Sequence, residues 1–592
     1  MKHANRISRR RAVVAVICVL AVFAAFVIRL IDIQVVSAAQ LRADAAEKTS
    51  SELVVYGERG DIVDTNGTVL AGSVMRYDLT VAPVNVNAFK RTDDKGKTVK
   101  VSVEQAASEI GKIVGKSGKD ILDIVNGALD ENPDSLYALI ATSLDVDQYQ
   151  AIVDLHIPWL YPKKHPGRFY PNGAIAGNLI GFVGSDGEPL AGAERYMNSC
   201  LASQDGTQAY QRGKDGVAIP GSMQTTTPAV DGGTLKLTID ADLEWYAAQR
   251  VAEQVTATNA TWGVVSVMEA STGKLRAVAE YPSVDPNDVA ASNPNDRGSR
   301  AFTWPYEPGS TFKTLLAASL IDAGLADPAT HVLADGWYRP ANGAQIKDSF
   351  AHGPLPLTLT GVLAESSNTG ISQLGERMPA KQRYEYLKKF GIGTPTAVGF
   401  PAESGGVLHD WQNWDNQTYY ATMFGQGLSA TAIQTLNAYQ ALANGGVKMP
   451  ASIIEGCTHP DGTVTNVPSE KGTRVVSKKA ADLTVQMLES VVTDGHFGTT
   501  MEIPGYRVAA KSGTAQQGDG SGGLKSTYIV SMTGMAPADN PQYVVSVTIA
   551  NPTTIRSSAA AAPTFQQVMT QVLKSYGVPP STEPAPNWPT RY

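Results

Sequence analysis

Three short motifs stand in order along the chain: Ser310-Thr311-Phe312-Lys313, Ser366-Ser367-Asn368 and Lys511-Ser512-Gly513-Thr514. They begin 56 and 145 residues apart, so they form one site only in a fold that returns a late strand to the start of a much earlier helix. That requirement restricts the architecture more than composition does. Ser-x-x-Lys spacing is common enough to arise by chance in a chain this long, and Ser271-Thr272-Gly273-Lys274 repeats it. There, glycine between two apolar runs marks a hairpin turn, in which the two side chains do not converge. Ser310 instead follows Glu307-Pro308-Gly309 and opens an expected amphipathic helix, with Phe312, Leu315, Leu316 and Leu320 inward and Gly324 as its stop. Lys313 falls one turn on, on the same face as Ser310.

Each motif has a structural reading beside a chemical one. A serine is a weak nucleophile until a neighbouring base takes its proton. A lysine serves as that base only when burial or another cation, here Lys511, lowers its pKa. At a helix start Ser310 also has free backbone N–H groups beside it. Ser366 and Asn368 lie between helical stretches, where such residues ordinarily cap helices or close turns. Chemically, the Ser366 hydroxyl would relay a proton to a leaving amine, while Asn368 would bond the substrate backbone and Lys313. Residues 511–514 read as the end of a strand, with Gly513 admitting another backbone closely. Lys511, Ser512 and Thr514 would hold an anionic substrate terminus, and a backbone N–H here would join that of Ser310 in an oxyanion hole. All three motifs in order favour the chemical reading, attack on an amide carbonyl whose substrate ends in a carboxylate.

The 592 residues are too many for one compact domain. A net charge of −7 and a pI near 5.7 provide no basic field for phosphates, which argues against nucleic acid as a partner. Three cysteines exclude a disulfide scaffold and a four-cysteine zinc site. Cys18 lies in an apolar run; Cys200 and Cys457 are able to pair outside the cell, and the sequence leaves that open. Lys2, Arg6, Arg9, Arg10 and Arg11 precede an uncharged run, 12–28, extendable past Arg29 to Ile33. As a helix the uncharged run rises about 25 Å, the lower limit for a membrane span. The basic cluster keeps the N-terminus cytoplasmic and sends the rest outside. A cleaved signal peptide is the alternative, with small residues at Ser37-Ala38-Ala39. The length of the run, and Arg29 and Asp32 between it and that point, favour an uncleaved anchor.

Up to about residue 227, short alternating runs mix with Gly, Asn and Asp turns. Asn66-Gly67 between Ile62-Val63 and Val69-Leu70 reads as a hairpin, and the period turns helical between Val103 and Leu155. This portion offers neither catalytic nor metal-ligand spacing and reads as a spacer or docking module. Residues 220–233 read as a boundary. Beyond it come a strand at 235–239, a helix with Leu243, Tyr246, Ala247 and Val251 on one face, and a hairpin of 263–268 with 275–279. Late strands follow at 507–511, 527–532 and 543–549. The last helix presents Phe565, Val568, Met569, Val572 and Leu573 at i, i+3, i+4, i+7 and i+8, and stops at Gly577. The expected class is α+β: sheet strands from both ends of the domain, terminal helices, and a long helical insertion over 310–443. The Pro-rich residues 579–592 are expected to be disordered.

With these residues the chain resembles the class B penicillin-binding proteins and is most similar to the division-specific D,D-transpeptidases. Gly57-Glu58-Arg59-Gly60-Asp61-Ile62 with Asp64-Thr65-Asn66-Gly67, Arg168-Phe169-Tyr170-Pro171-Asn172-Gly173, Gly181-Phe182-Val183-Gly184 and Gly192-Ala193-Glu194 match signatures of that family's pedestal. Glu307-Pro308-Gly309 ahead of Ser310, Phe424-Gly425-Gln426-Gly427-Leu428-Ser429 and Ala443-Asn444-Gly445-Gly446 are close to its consensus. The resemblance implies a cytoplasmic tail (1–11), a transmembrane anchor (12–33) and a β-rich, elongated, non-catalytic pedestal for dimerisation or docking (34–227). It implies a transpeptidase domain (228–578) built of an antiparallel five-stranded sheet flanked by helices plus an all-helical lobe. It further implies Ser310 as acyl-ester nucleophile, Lys313 as its base, and Ser366 and Asn368 in proton relay and substrate binding. Lys511, Ser512, Gly513 and Thr514 would be the carboxylate-binding strand, and the Ser310 and Thr514 N–H groups the oxyanion hole. Ser512 stands where threonine is commoner in the family, which keeps the hydroxyl.

The partners implied are peptidoglycan stem peptides ending in D-Ala-D-Ala, β-lactams, the membrane, and a polytopic lipid II polymerase with division proteins. No metal or organic cofactor is implied. Rival readings are an elongation-type transpeptidase, a D,D-carboxypeptidase or β-lactamase, and a non-catalytic β-lactam sensor or scaffold. No glutamate is assignable to the deacylating water of a class A β-lactamase, and a complete catalytic set argues against a scaffold.

Overall fold

The computed structural model describes residues 2–40, 50–92, 96–213, 219–495, 497–518 and 524–592. They fall into two compact units, the first holding the N-terminal segment to Glu58 together with Ser203–Asp231. In that unit the helix Lys2–Ile31 exposes apolar side chains such as Val13, Leu20, Phe23, Phe26 and Ile28. An apolar surface on which nothing packs among the described residues suits hydrocarbon rather than water. The stretch Arg9–Val36 is long and apolar enough to cross a membrane. Arg29 and Asp32 pair at 2.6 Å towards its end. The same unit carries an antiparallel sheet of Ser50–Val55, Gly206–Gln211 and Gln224–Thr227, in that order.

The second unit joins Arg59–Ala202 to Gly232–Tyr592. By packing, then, residues 59–202 go with the region of the three motifs, and 203–231 do not. The Asn66-Gly67 hairpin forms as expected: Ile62 pairs with Ala71 and Val63 with Val69, and Gly67 takes φ +90°. Helices Val103–Val114 and Gly118–Glu131, N-capped by Ser102 and Ser117, pack Ile110, Ile121 and Val125 against Leu79, Val81 and Trp159. A strand, Ala138–Leu144, interrupts the stretch that reads as helical; its burial alternates too weakly to show a period of two.

Three of the upstream signatures meet at one carboxylate. Fully buried Glu194 accepts from Arg59 Nε at 2.7 Å and from Arg168 Nε at 2.6 Å, while the Tyr170 hydroxyl donates to it at 3.4 Å. A charge stays buried only when paired and hydrogen-bonded, and removing one partner is costly. Nearby, Cys200 and Cys457 form a disulfide with their Cα atoms 6.1 Å apart. It ties the short helix Asn198–Leu201 to the strand Ile454–Thr458. The strand Thr234–Leu237 lies between Ile454–Thr458 and Ile62–Val63, so it stays out of the catalytic sheet that sequence order suggested it would open.

That sheet consists of β1 (Trp262–Glu269), β2 (Leu275–Tyr281), β3 (Ala509–Gly518), β4 (Leu524–Ala536) and β5 (Tyr543–Ala550), antiparallel in the order β2-β1-β5-β4-β3. Val265 and Val267 of β1 face the helices Ala241–Ala257 and Ala562–Ser575, whose Val251, Phe565 and Val568 fill that layer. Val264 and Met268 point to the opposite layer, with Leu436 of Ala432–Ala443 and Leu488 of Lys478–Thr493. Burial on both faces explains why β1 and β5 read as continuous apolar runs. Gly273 takes φ +76° in the β1–β2 turn, as expected for Ser271-Thr272-Gly273-Lys274.

Two further expectations fail. The helical lobe is not all-helical: it carries the ribbons His331–Ala334 with Leu355–Thr358 and Trp337–Tyr338 with Ile346–Lys347. Strands this short, among Pro, Gly and Asn, offer no alternation to read. Residues 579–592 are ordered rather than disordered. Trp588 Nε1 donates to Gln486 Oε1 at 3.1 Å, Thr358 N donates to Thr590 O at 3.1 Å, and Tyr592 stacks on His331 at 3.8 Å. A Pro-rich segment needs no core of its own when a folded surface satisfies its backbone.

Replacing Cys457 with serine opens a link between positions 257 apart. The expected loss is about 2–5 kcal/mol, measured as a lower thermal unfolding midpoint of the region after the apolar helix; reductant added to the unaltered protein should reproduce it.

Candidate active site

Ser310 is half-buried in a 3-10 turn, Gly309–Phe312, that feeds the helix Lys313–Asp322. This helix is buried on every side through Leu320 rather than amphipathic. Leu359–Ala364, Asn368–Gly375, Ala380–Phe390 and Lys478–Thr493 all pack around it, so Lys313 projects into the protein interior. The serine's turn is held from several directions. Gly309 N donates to Gly425 O at 2.9 Å. Both glycines have positive φ, and a Cβ on Gly425 would overlap Gly309 O. Gly427 N donates to Glu307 Oε1 at 3.1 Å, and Glu307 N donates to Gln517 Oε1 of β3 at 3.0 Å. Tyr439 donates its hydroxyl to Thr311 O at 2.8 Å.

The strand β3 runs through the third motif to Gly518 instead of ending there. Its ladder with β4, Lys511 opposite Thr533 and Gly513 opposite Ser531, overrides the poor strand propensity of Ser and Gly. At Gly513 a Cβ would overlap Ser531 Oγ and stand 2.7 Å from Pro308 O. Glycine therefore lets β3 lie directly against the turn that bears Ser310.

The two lysines converge on Ser366. Lys313 Nζ donates to Ser310 Oγ at 3.1 Å, to Ser366 Oγ at 3.3 Å and to Ser366 O. Lys511 Nζ donates to Ser366 Oγ at 3.0 Å and to Ser512 Oγ at 3.3 Å. Both lysines are fully buried. Ser366 sits at φ +56°, a left-handed conformation that costs a non-glycine residue about 1–2 kcal/mol. Burial pushes the Lys313 pKa down to about 7, against a smaller upward pull from the Asp348 carboxylate. Lys511 is held well below its usual range by burial and by the charge of Lys313. A lysine that is partly neutral near pH 7 is able to take a proton from Ser310.

The Ser366 turn is organised by a residue with no signal in the sequence. Buried Asp348 accepts from Ser367 Oγ at 2.7 Å, from Thr369 N at 3.0 Å and from Asn368 N, and contacts His352 Nε2 at 3.0 Å. An isolated acid in an irregular stretch is indistinguishable from a surface residue until those donors converge on it. Asn368 Nδ2 donates to Lys347 O at 2.9 Å, and among the described residues no hydrogen bond joins Asn368 to Lys313. Thr514 is exposed, and its hydroxyl accepts from Ser558 N at 3.2 Å. The structure thus gathers Ser310, Lys313, Ser366, Lys511 and Ser512 in one hydrogen-bonded set, with Gly513 next in β3.

Gly513→Ala should displace β3 from the serine's turn and slow labelling by a fluorescent β-lactam about 100-fold, as expected for a misplacement near 1 Å. Asp348→Ala leaves buried donors unpaired at about 1–3 kcal/mol each. Both slower labelling and a lower unfolding midpoint are expected for that variant.

Residues 263–570 match the penicillin binding protein transpeptidase domain, and residues 54–237 match the penicillin-binding protein dimerisation domain. The chain is 34% identical over 99% of its length to the penicillin-binding protein PbpB of Mycobacterium tuberculosis, 87% of which is covered. It is 29% identical over 98% of its length to the peptidoglycan D,D-transpeptidase FtsI of Escherichia coli, 94% of which is covered. A crystal structure of penicillin binding protein 3 from M. tuberculosis, complexed with aztreonam, matches with a TM-score of 0.69 at 28% identity, over 91% of this chain and 100% of that one. With the three motifs brought together in one site, these likenesses show that the chain belongs to the penicillin-binding protein transpeptidase family.

Proposed function

We propose that this protein is a serine D,D-transpeptidase that cross-links peptidoglycan stem peptides in septal wall synthesis, through an acyl-enzyme on Ser310. The observation that carries the reading is Lys313 Nζ, buried and depressed in pKa, 3.1 Å from Ser310 Oγ and sharing the Ser366 hydroxyl with Lys511. Ser310 Oγ attacks the carbonyl of the penultimate D-Ala, and its proton passes to Lys313 Nζ. As the C–N bond breaks, Ser366 relays a proton to the departing D-Ala amine, leaving an ester on Ser310. An amine from a neighbouring stem peptide then attacks that ester. Its proton returns to Ser310 Oγ by way of Lys313, and a new amide joins the two strands.

Lys511, Ser512 and Thr514 hold the substrate carboxylate, with Gly513 keeping β3 close. The N–H groups of Ser310 and Thr514 receive the oxyanion, and Asn368 bonds the peptide backbone. β-Lactams acylate the same serine. In this reading residues 1–11 are cytoplasmic, 12–33 cross the membrane, 34–227 form a non-catalytic dimerisation or docking domain, and 228–578 work outside the membrane. The basic residues before the span support that orientation. The proposed partners are a polytopic lipid II polymerase and other division proteins. The likeness to FtsI and PbpB supports the septal role.

Intact-mass timing with a penicillin tests the reaction. The unaltered chain should carry an adduct for about an hour, a deacylation barrier of roughly 22 kcal/mol, and Ser310→Ala should carry none. An adduct lost within seconds would make the protein a hydrolase. The acylation rate should rise with pH through about 7 and then level off, because Lys313 acts as a base only when unprotonated. A flat profile across neutral pH would exclude Lys313 as the base.

A further inference from the structure

Residues 588–592 lie across both ends of the six-residue helix Leu359–Ala364, which leads into the Ser366 turn. At its start, Thr358 Oγ1 accepts from Gly361 N at 3.1 Å and donates to Pro589 O. Thr358 N donates to Thr590 O at 3.1 Å and Tyr592 N to Pro356 O at 3.3 Å, while Leu357 and Arg591 form a β-bridge. The segment thus extends the edge of Leu355–Thr358. Gly361 meets Thr590 O so closely that a Cβ would overlap it. At the other end, Arg591 donates to Glu365 Oε1 at 3.1 Å, one residue before Ser366. Trp588 is anchored on Gln486 of Lys478–Thr493, and Tyr592 on the ring of His331.

We propose that residues 588–592 are a clamp that positions Ser366 for the reaction, by fixing both ends of Leu359–Ala364 against Lys313 and Lys511. None of the five touches the reacting atoms, so they are positioning residues. A helix this short has too few hydrogen bonds to hold its place unaided. The left-handed backbone at Ser366 persists only where its surroundings over-determine it. Core packing supplies part of that constraint, since every residue of Leu359–Ala364 is buried. The clamp adds contacts at both ends of the helix, at Thr358 and at Glu365, the residue before Ser366.

The charged groups facing Lys313 are Lys511 from β3 and Asp348 from the segment ahead of the Ser366 turn. Glu365 is engaged with Arg591. A loosened turn admits water to Lys313 and returns its proton affinity towards that of an ordinary lysine. The rise of acylation with pH then moves to higher pH, which a simple loss of folded protein would not produce.

The inference rests on acylation at Ser310, and one assay separates the two. The full chain, a chain ending at Asn587, Arg591→Ala and Arg591→Lys are labelled with a fluorescent penicillin across neutral pH, with the folded fraction followed by thermal unfolding. Truncation should slow acylation about tenfold and Arg591→Ala by a few-fold, as expected for a sub-ångström displacement. Arg591→Lys should recover most of the rate, and the pH midpoint should rise in the two slow variants. Rates equal to the full chain would overturn the clamp. So would losses that track the unfolded fraction with an unmoved pH midpoint. If the truncated chain does not fold, the two Arg591 variants decide the matter. No labelling of the full chain would overturn the Ser310 reading itself.

Discussion

Ser366 Oγ accepts hydrogen bonds from two buried lysines, at 3.3 and 3.0 Å. Two ammonium groups side by side out of water repel each other and each forgo several kcal/mol of hydration. The fold tolerates them because a buried lysine is able to give up its proton, and burial lowers the pKa of both. The surrounding structure serves to keep the arrangement closed. The helix that follows Ser310 is sunk among its neighbours, the Gly309–Gly425 contact leaves no room for a side chain, and Gly513 brings β3 flush against Pro308.

The upstream part of the chain meets buried charge in the opposite way. Glu194 is surrounded by Arg59, Arg168 and the Tyr170 hydroxyl. That cluster is built for rigidity: each guanidinium holds a different segment, and all three segments are fixed relative to one another by a single side chain. Together with the Cys200–Cys457 link, it makes residues 59–202 part of the same compact unit as the catalytic sheet. One carboxylate paired with two guanidinium groups organises the support, and two buried amines that share a hydroxyl organise the site.

Much of the candidate site's geometry was legible in the sequence because it is carried by residue identity at fixed spacing. Ser310, Lys313, Ser366 and Lys511 converge as their motifs imply, and the hairpin at Asn66-Gly67 and the stripe from Phe565 to Leu573 announce their own geometry. What escaped depends on partners distant in sequence. β3 continues through Ser512 and Gly513 because β4 pairs with it, which local propensity does not reveal. Asp348 matters only because Ser367, Asn368 and Thr369 aim their donors at it. The segment 579–592 has the composition of a loose tail, and it is held by groups distant in sequence, among them Asp539, Gln486, Thr358 and the His331 ring. The helix Lys313–Asp322 reads as amphipathic although both of its faces are covered, since its small residues Ala317, Ala318 and Ser319 look like a surface.

The place of β3 at the end of the order β2-β1-β5-β4-β3 has a consequence for what the protein is able to distinguish. A strand with a neighbour on one side only presents main-chain donors and acceptors on the other, and an extended peptide laid there is recognised by its backbone. Backbone recognition is nearly blind to residue type, so in the proposed reading discrimination would fall to the end of the peptide, beside Lys511 and the Ser512 hydroxyl. Any inhibitor that copies the peptide's main chain and carboxylate presents the same pattern as the substrate. Substitution within β3 would then weaken both together, and variants that separate the two have to change the walls of the groove rather than its floor.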